Sequence, residues 1–200
     1  MIPFEKERTL LILKPDAIQR ALVGEIINRV ERTGLKFVAM KMVVPTREQV
    51  IEHYNKSDEW CEKKGLGIIK DLEAQGAPIE KTPLEYGREI IENLVSYMTA
   101  GPVLLVVVEG SQAAAIVSKL VGSTEPMTSD VGTIRGDLTV DSFAHATFRN
   151  SGVRNLVHQS ESPEEAAREI PIWFNENEII QYKTIQERIL YDVNLDGILE

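Results

Sequence analysis

Two hundred residues with 43% hydrophobic content suffice for one globular domain with a sizeable core, or one domain with a large insertion, and exclude disorder as the general state. A formal charge of −9 excludes a general affinity for nucleic acid or anionic membrane, so any polyanion must be met by a local basic cluster. The single cysteine, Cys61, reads as a passive thiol in a reducing compartment; with no leader-like start and no apolar run longer than "VLLVVV", the chain is expected to be soluble and cytoplasmic.

"TLLILK", Thr9 to Lys14, is a β-rich run stopped by Pro15. From Ala21 to Thr33 the apolar positions Leu22, Ile26, Ile27 and Val30 recur at helical spacing, with Gly34 as the stop. "LKFVAMKMVV" is a second strand closed by Pro45, and a helix follows from about Thr46 to His53 and Tyr54. Residues 55–82 are charged and weakly periodic, which predicts an inserted surface segment. A helix from Pro83 carries Ile90, Ile91, Leu94, Val95 and Met98 and ends at Gly101 and Pro102. "VLLVVVEG", apolar on both faces, is a central strand. "SQAAAIVSKLVG" is a helix from serine cap to glycine stop. A polar loop containing "GTIRGD" and a second inserted segment, 138–152, lead to a last strand at Val153 to Val157 and a final helix starting at Ser162. Strand and helix alternate in the order expected when helices pack on one face of a sheet. Two such βαβ units interleave as an α/β fold of the α+β sandwich type, ferredoxin-like βαββαβ with an antiparallel sheet and helices packed on it. The chain is thus one domain, 1–200, with two insertions and a tail, 192–200.

His158 stands between the last strand and the final helix, a place where a histidine needs no function. Ser162, Pro163 and Glu165 form a dense helix start with a potential capping box, and free N–H groups there favour anions. On that helix Ala166, Ile170, Trp173 and Phe174 make a core stripe that Pro171 kinks or cuts short. Glu169 borders the stripe, either to orient the imidazole or as a solvated carboxylate. Lys14, Thr124 and Arg135 also sit at element ends, and with His158 they outline a phosphate site in which histidine has the pKa of a nucleophile. Metal ligation lacks a second histidine or cysteine at ligand spacing.

"TLLILKPDAIQRALVGEIINRVERTGLKFVAMKMV", "HY", "GPVLLVVVEG", "GTIRGD" and "RNLVHQSESPEEAAREIPIWF", in that order, closely resemble nucleoside diphosphate kinases over most of the chain outside the insertions. The resemblance implies the ferredoxin-like fold, a homo-oligomer (tetramer or hexamer), and ping-pong transfer of the γ-phosphoryl from a nucleoside triphosphate to a diphosphate with Mg²⁺. It makes His158 the phosphorylated nucleophile, with Glu169 on its other ring nitrogen. Lys14 would contact phosphate and the ribose 3′-hydroxyl, Asn155 the ribose, and Thr124 and Arg135 the phosphates, while Tyr54 would buttress the site. Mg²⁺ would be held by the phosphates and water, with no direct protein ligand.

Several positions depart from the family pattern. Gln159 and Glu161 replace a small residue and an aspartate, so Gln159 is expected to crowd the phosphate; Ser118 replaces an arginine, with Lys119 as the substitute. The base-stacking phenylalanine falls at Ile90 and its apolar partner at Gly152, leaving no familiar clamp. Trp60, Phe143 and Phe148 are candidate replacements, or else they pack the insertions onto the domain. Broad base specificity is expected either way. Ser118 and Gln159 favour the alternative of a nucleotide-binding regulatory module with little turnover, and the His158 and Glu169 pair favours the enzyme. A structural domain without nucleotide would make the clustering a coincidence.

Overall fold

The computed structural model describes residues 6–191, so the tail at 192–200 lies outside the described residues. Four strands, β1 (Lys6–Leu13), β2 (Lys36–Val43), β3 (Val103–Ser111) and β4 (Val157–Gln159), form one sheet in the order β2-β3-β1-β4, antiparallel throughout. That is the expected ferredoxin-like topology.

Helices cover both faces of the sheet rather than one, and the central strands show why. Successive strand residues point to opposite faces. In β1, Leu10 and Ile12 join one core and Leu11 and Leu13 the other; in β3, Val103, Leu105 and Val107 alternate in the same way with Leu104, Val106 and Val108. The first core is closed by α3 (Arg47–Tyr54), α5 (Pro83–Met98) and α9 (Pro163–Trp173). The second is closed by α1 (Pro15–Gln19), α2 (Val23–Glu31), α6 (Ala113–Val121) and α7 (Ile134–Leu138). Each fully buried aliphatic side chain contributes about 1.5–3 kcal/mol, so a two-sided sheet stabilises more than a one-sided one of the same size.

Three local differences from the sequence reading have backbone causes. The helix expected from Ala21 starts at Val23, because the short α1 intervenes and Ala21 turns left-handed at φ 56°. The strand expected at 153–157 is β4, because Leu156 is left-handed at φ 67° and breaks the run before it. His158 therefore lies inside the strand, opposite Ile12, and not beyond its end. Finally, α9 runs through Pro171 to Trp173, and Glu165 reaches the Glu161 amide rather than that of the Ser162 cap.

Residues 55–82 are more ordered than expected. Ser57 caps a 17-residue helix, α4 (Asp58–Ala74), which lies against α5 with the backbones in contact. A Cβ at Gly65 would overlap the Pro83 carbonyl, and one at Gly87 that of Cys61. In 138–152, the short α8 (Phe143–Phe148) is capped by Ser142, and Arg149 forks onto the Asp141 carboxylate at 3.0 and 2.7 Å. No helix among the described residues is long and apolar enough to cross a membrane.

Candidate active site

Pairing with Ile12 turns the His158 side chain to the face shared by α3, α5 and α9. There its Nε2 meets Glu169 Oε2 of α9 at 2.9 Å. Glu169 is 1% exposed, and its carboxylate also accepts from Ser160 Oγ at 2.7 Å and from the Arg168 guanidinium at 3.0 Å. With the carboxylate accepting, the imidazole proton belongs on Nε2 and the lone pair on Nδ1.

His53 and Tyr54, at the end of α3, wall the ring. Their ring centroids lie 4.4 and 6.1 Å from that of His158, both edge-on. Trp173 Nε1 donates to His53 Nδ1 at 3.2 Å, which puts the His53 proton on Nε2; that atom is buried without a partner, as is the Tyr54 hydroxyl. Burial, then the neighbouring His158, hold His53 well below the usual imidazole range, and burial lifts the Tyr54 phenol. His53, His158 and Glu169 bring possible ligand atoms within 4.8 Å of one another, a proximity hidden by their distance in sequence. His158 Nε2, His53 Nδ1 and the Glu169 carboxylate are already engaged in the hydrogen bonds above.

On the other side of the site Lys14, 4% exposed, donates to Asn155 Oδ1 at 2.8 Å, and Asn155 Nδ2 donates to the Thr124 carbonyl at 2.8 Å. Arg135, at the start of α7, donates to four backbone carbonyls, those of Asn155, Gly122, Ser123 and Val157, at 2.8–3.1 Å. It thereby pins the 122–124 loop to the segment that carries Asn155. Burial, then the Arg135 charge, push the Lys14 ammonium down to about 7, and burial pushes Arg135 down to about 10. Burial, then Lys14, also push His158 down to about 3. Glu165 pulls the other way, but burial beside Lys14 and Arg135 prevails and the ring is neutral at pH 7.

Lys14, Tyr54, Asn155, His158 and Glu169 thus converge, with Arg135 bracing the backbone behind them. Thr124 enters this network by its carbonyl, and its residue is exposed. Lys119 is exposed in the last turn of α6, and Ile90 is partly buried on α5; neither shares a hydrogen bond with this group among the described residues. The Ser118 hydroxyl is buried without a partner. Gln159 does not crowd His158, as alternation puts it opposite Leu11, on the far face of the sheet. Phe143 and Phe148 do not pack their segment down, being 52% and 93% exposed, whereas Trp60 is half-buried between Lys56 and Lys64, whose ammoniums lie 5.8 and 5.7 Å from its ring centroid. Ser160, Arg168 and His53 were not anticipated in these contacts. Ser160 had a signal in its spacing, two residues beyond His158 and just past the end of β4.

A family model for nucleoside diphosphate kinase matches residues 7–66 and 80–179. The nucleoside diphosphate kinase of Pyrobaculum aerophilum is 48% identical over 180 residues, spanning 88% of this chain and 98% of the relative. That of Archaeoglobus fulgidus is 38% identical over 186 residues, spanning 93% and 98%. Among solved structures, an NDP kinase from Pyrobaculum aerophilum gives a TM-score of 0.84 at 46% identity, covering 88% of this chain and 100% of that one. A transition state mimic of the nucleoside-diphosphate kinase from Borrelia burgdorferi, with bound vanadate and ADP, gives 0.74 at 33% identity, covering 92% and 95%.

Proposed function

The chain belongs to the nucleoside diphosphate kinase family, and from that premise we infer that it passes the γ-phosphoryl group of a nucleoside triphosphate to a nucleoside diphosphate in two ping-pong halves through His158. The observation that carries this reading is the 2.9 Å contact of His158 Nε2 with the buried Glu169 carboxylate, which leaves Nδ1 as the nucleophile.

In the first half Nδ1 attacks the γ-phosphorus. The N–P bond forms, the bond to the β,γ-bridging oxygen breaks, and its electron pair leaves with the nucleoside diphosphate. The imidazole gains positive charge while its proton stays on Nε2, and Glu169, 2.9 Å away, stabilises that charge as it develops. A second diphosphate reverses the steps. Ser160 and Arg168 fix the carboxylate, and His53 and Tyr54 fix the plane of the ring. Lys14 and Asn155 position phosphate and ribose, Thr124 and Lys119 border the phosphates, and Arg135 holds the loop that presents Thr124. With Ile90 and Gly152 where a clamp would stand, base specificity is broad.

Mg²⁺ fits this site as an ion held by the nucleotide. Asp16 uses its two carboxylate oxygens on the Ala17 and Leu156 amides, and Glu169 is bonded to His158, Ser160 and Arg168, so phosphates and water would supply the ligands. When bound, the ion neutralises charge on the phosphate oxygens. The edge strand β2 exposes Met40 and Met42, followed by exposed Val44, which supports a homo-oligomer, tetramer or hexamer. The chain is read as a single domain with 55–82 and 138–152 as insertions, acting on nucleotides in the cytoplasm.

Incubation with γ-labelled ATP and Mg²⁺, followed by a GDP chase, tests this. An acid-labile, alkali-stable label that leaves as GTP and is absent from His158→Ala is the expected result. Nucleotide binding without label would replace the enzyme by the regulatory module, the reading that Ser118 favours.

A further inference from the structure

Lys14 is a buried cation without a carboxylate partner among the described residues. Its ammonium donates to a neutral amide oxygen, Asn155 Oδ1. The charged and titratable groups facing it are Asp16 of α1, Arg135 of α7, His53 of α3 and His158 of β4. Arg135 repels it and Asp16 attracts it, but the Asp16 oxygens accept from the Ala17 and Leu156 amides and not from Lys14. What covers the ammonium is the ring of Tyr97 in α5, 5.2 Å from Nζ to the centroid. Gly152 lies close beside that ring, where a Cβ would come within 3.3 Å of Tyr97 Cδ1. The buried Tyr97 hydroxyl faces Asp16 and the Leu156 backbone without a well-formed hydrogen bond to either, so contact with Lys14 falls to the ring.

We propose that Tyr97 is a positioning residue whose ring face holds the Lys14 ammonium at the phosphate site without neutralising it. The negative face of an aromatic ring compensates a cation for lost water but carries no net charge. A carboxylate in the same place would support the ammonium more strongly, yet it would cancel the field that a phosphate must feel and repel the incoming anion. The ring and the amide oxygen set no negative charge of their own against the ammonium, which stays available to the ligand. This inference rests on the reading of Lys14 as a phosphate contact.

The test is the pH dependence of kcat/KM, which reports the free enzyme. Without the ring the charged form of Lys14 is less favoured, so the alkaline limb moves to lower pH. Tyr97→Leu should shift it down by about half to one unit and lower kcat/KM at pH 8 by roughly three- to tenfold, while Tyr97→Phe stays within about twofold of wild type. Because the leucine variant removes packing as well, Tyr97 is also replaced by singly, doubly and triply fluorinated phenylalanine, which keep the shape and weaken the ring face stepwise. A stepwise fall in kcat/KM at pH 8 supports the proposal. A flat fluorine series, or a Tyr97→Phe variant as impaired as Tyr97→Leu, overturns it. Lys14→Met is the control: if that variant is as active as wild type, the reading of Lys14 itself fails and this inference falls with it.

Discussion

The Glu169 side and the Lys14 side of the site solve burial in opposite ways. The Glu169 carboxylate is nearly inaccessible, and the protein satisfies it with three donors: an imidazole, a hydroxyl and a guanidinium. Lys14 and Arg135 are almost as buried, but they meet only neutral oxygens. One side is complete in the free protein and therefore fixes geometry. The other is short of negative charge and is completed by the ligand. That difference separates a part that should govern the chemical step from a part that should govern binding.

Substitutions on the two sides should accordingly affect different constants. The largest effect is expected for Glu169→Gln, which keeps shape and removes charge. Single-turnover phosphorylation should slow by roughly 10²- to 10³-fold, while nucleotide Kd changes little. Equal losses in both would erase the distinction. Lys14→Met should instead raise nucleotide KM by roughly ten- to a hundredfold. The same variant should be more stable than wild type at pH 7 by about 1 kcal/mol in urea unfolding, because an unpaired buried charge is gone.

A pH series sharpens that point. The folded-state pKa of Lys14, about 7, lies below its ordinary 10.5, so between these values the unfolded chain binds the extra proton. Wild-type stability then gains on that of Lys14→Met as pH rises from 7 toward 10, and below pH 7 the difference is flat. An unchanging difference would show that the charge is not destabilised by burial. Binding carries the same signature, since a phosphate beside Lys14 raises its pKa. Titration calorimetry at pH 8 in buffers of different ionisation enthalpy should find uptake of most of one proton, and Lys14→Met should abolish it. The smallest effect belongs to Gln159→Gly. Because Gln159 lies on the far face of the sheet, kcat and KM should stay within about twofold of wild type, and a large gain in kcat would reinstate the crowding read from the sequence.

Much of the candidate site was legible because its parts sit at fixed offsets along a strand, turn and helix. Asn155, His158 and Glu169 fall within fifteen residues, and Lys14 is marked by the Pro15 that ends its strand. His53 and Tyr97 reach the site only through the packing of α3 and α5 on the sheet, and no local pattern announces that. The resemblance gave Arg135 a phosphate role; the structure adds four carbonyl bonds, by which it also braces the 122–124 loop, and its spacing in the sequence could not show those. The strands were readable from their apolar runs, apart from the last, whose start is moved by the conformation of Leu156. The α4 helix was not readable, because the residues it buries are Cys61 and Gly65. A helix docked through glycine shows no apolar stripe, since close backbone approach rather than side-chain area holds it.

Phosphorus-31 and nitrogen-15 NMR of the phosphorylated protein, labelled at its histidines, reads which ring nitrogen carries the phosphoryl group. One phosphohistidine is expected, with phosphorus coupled to Nδ1 of His158 and a proton retained on Nε2. Phosphorus on Nε2, or on a residue other than His158, would contradict that expectation.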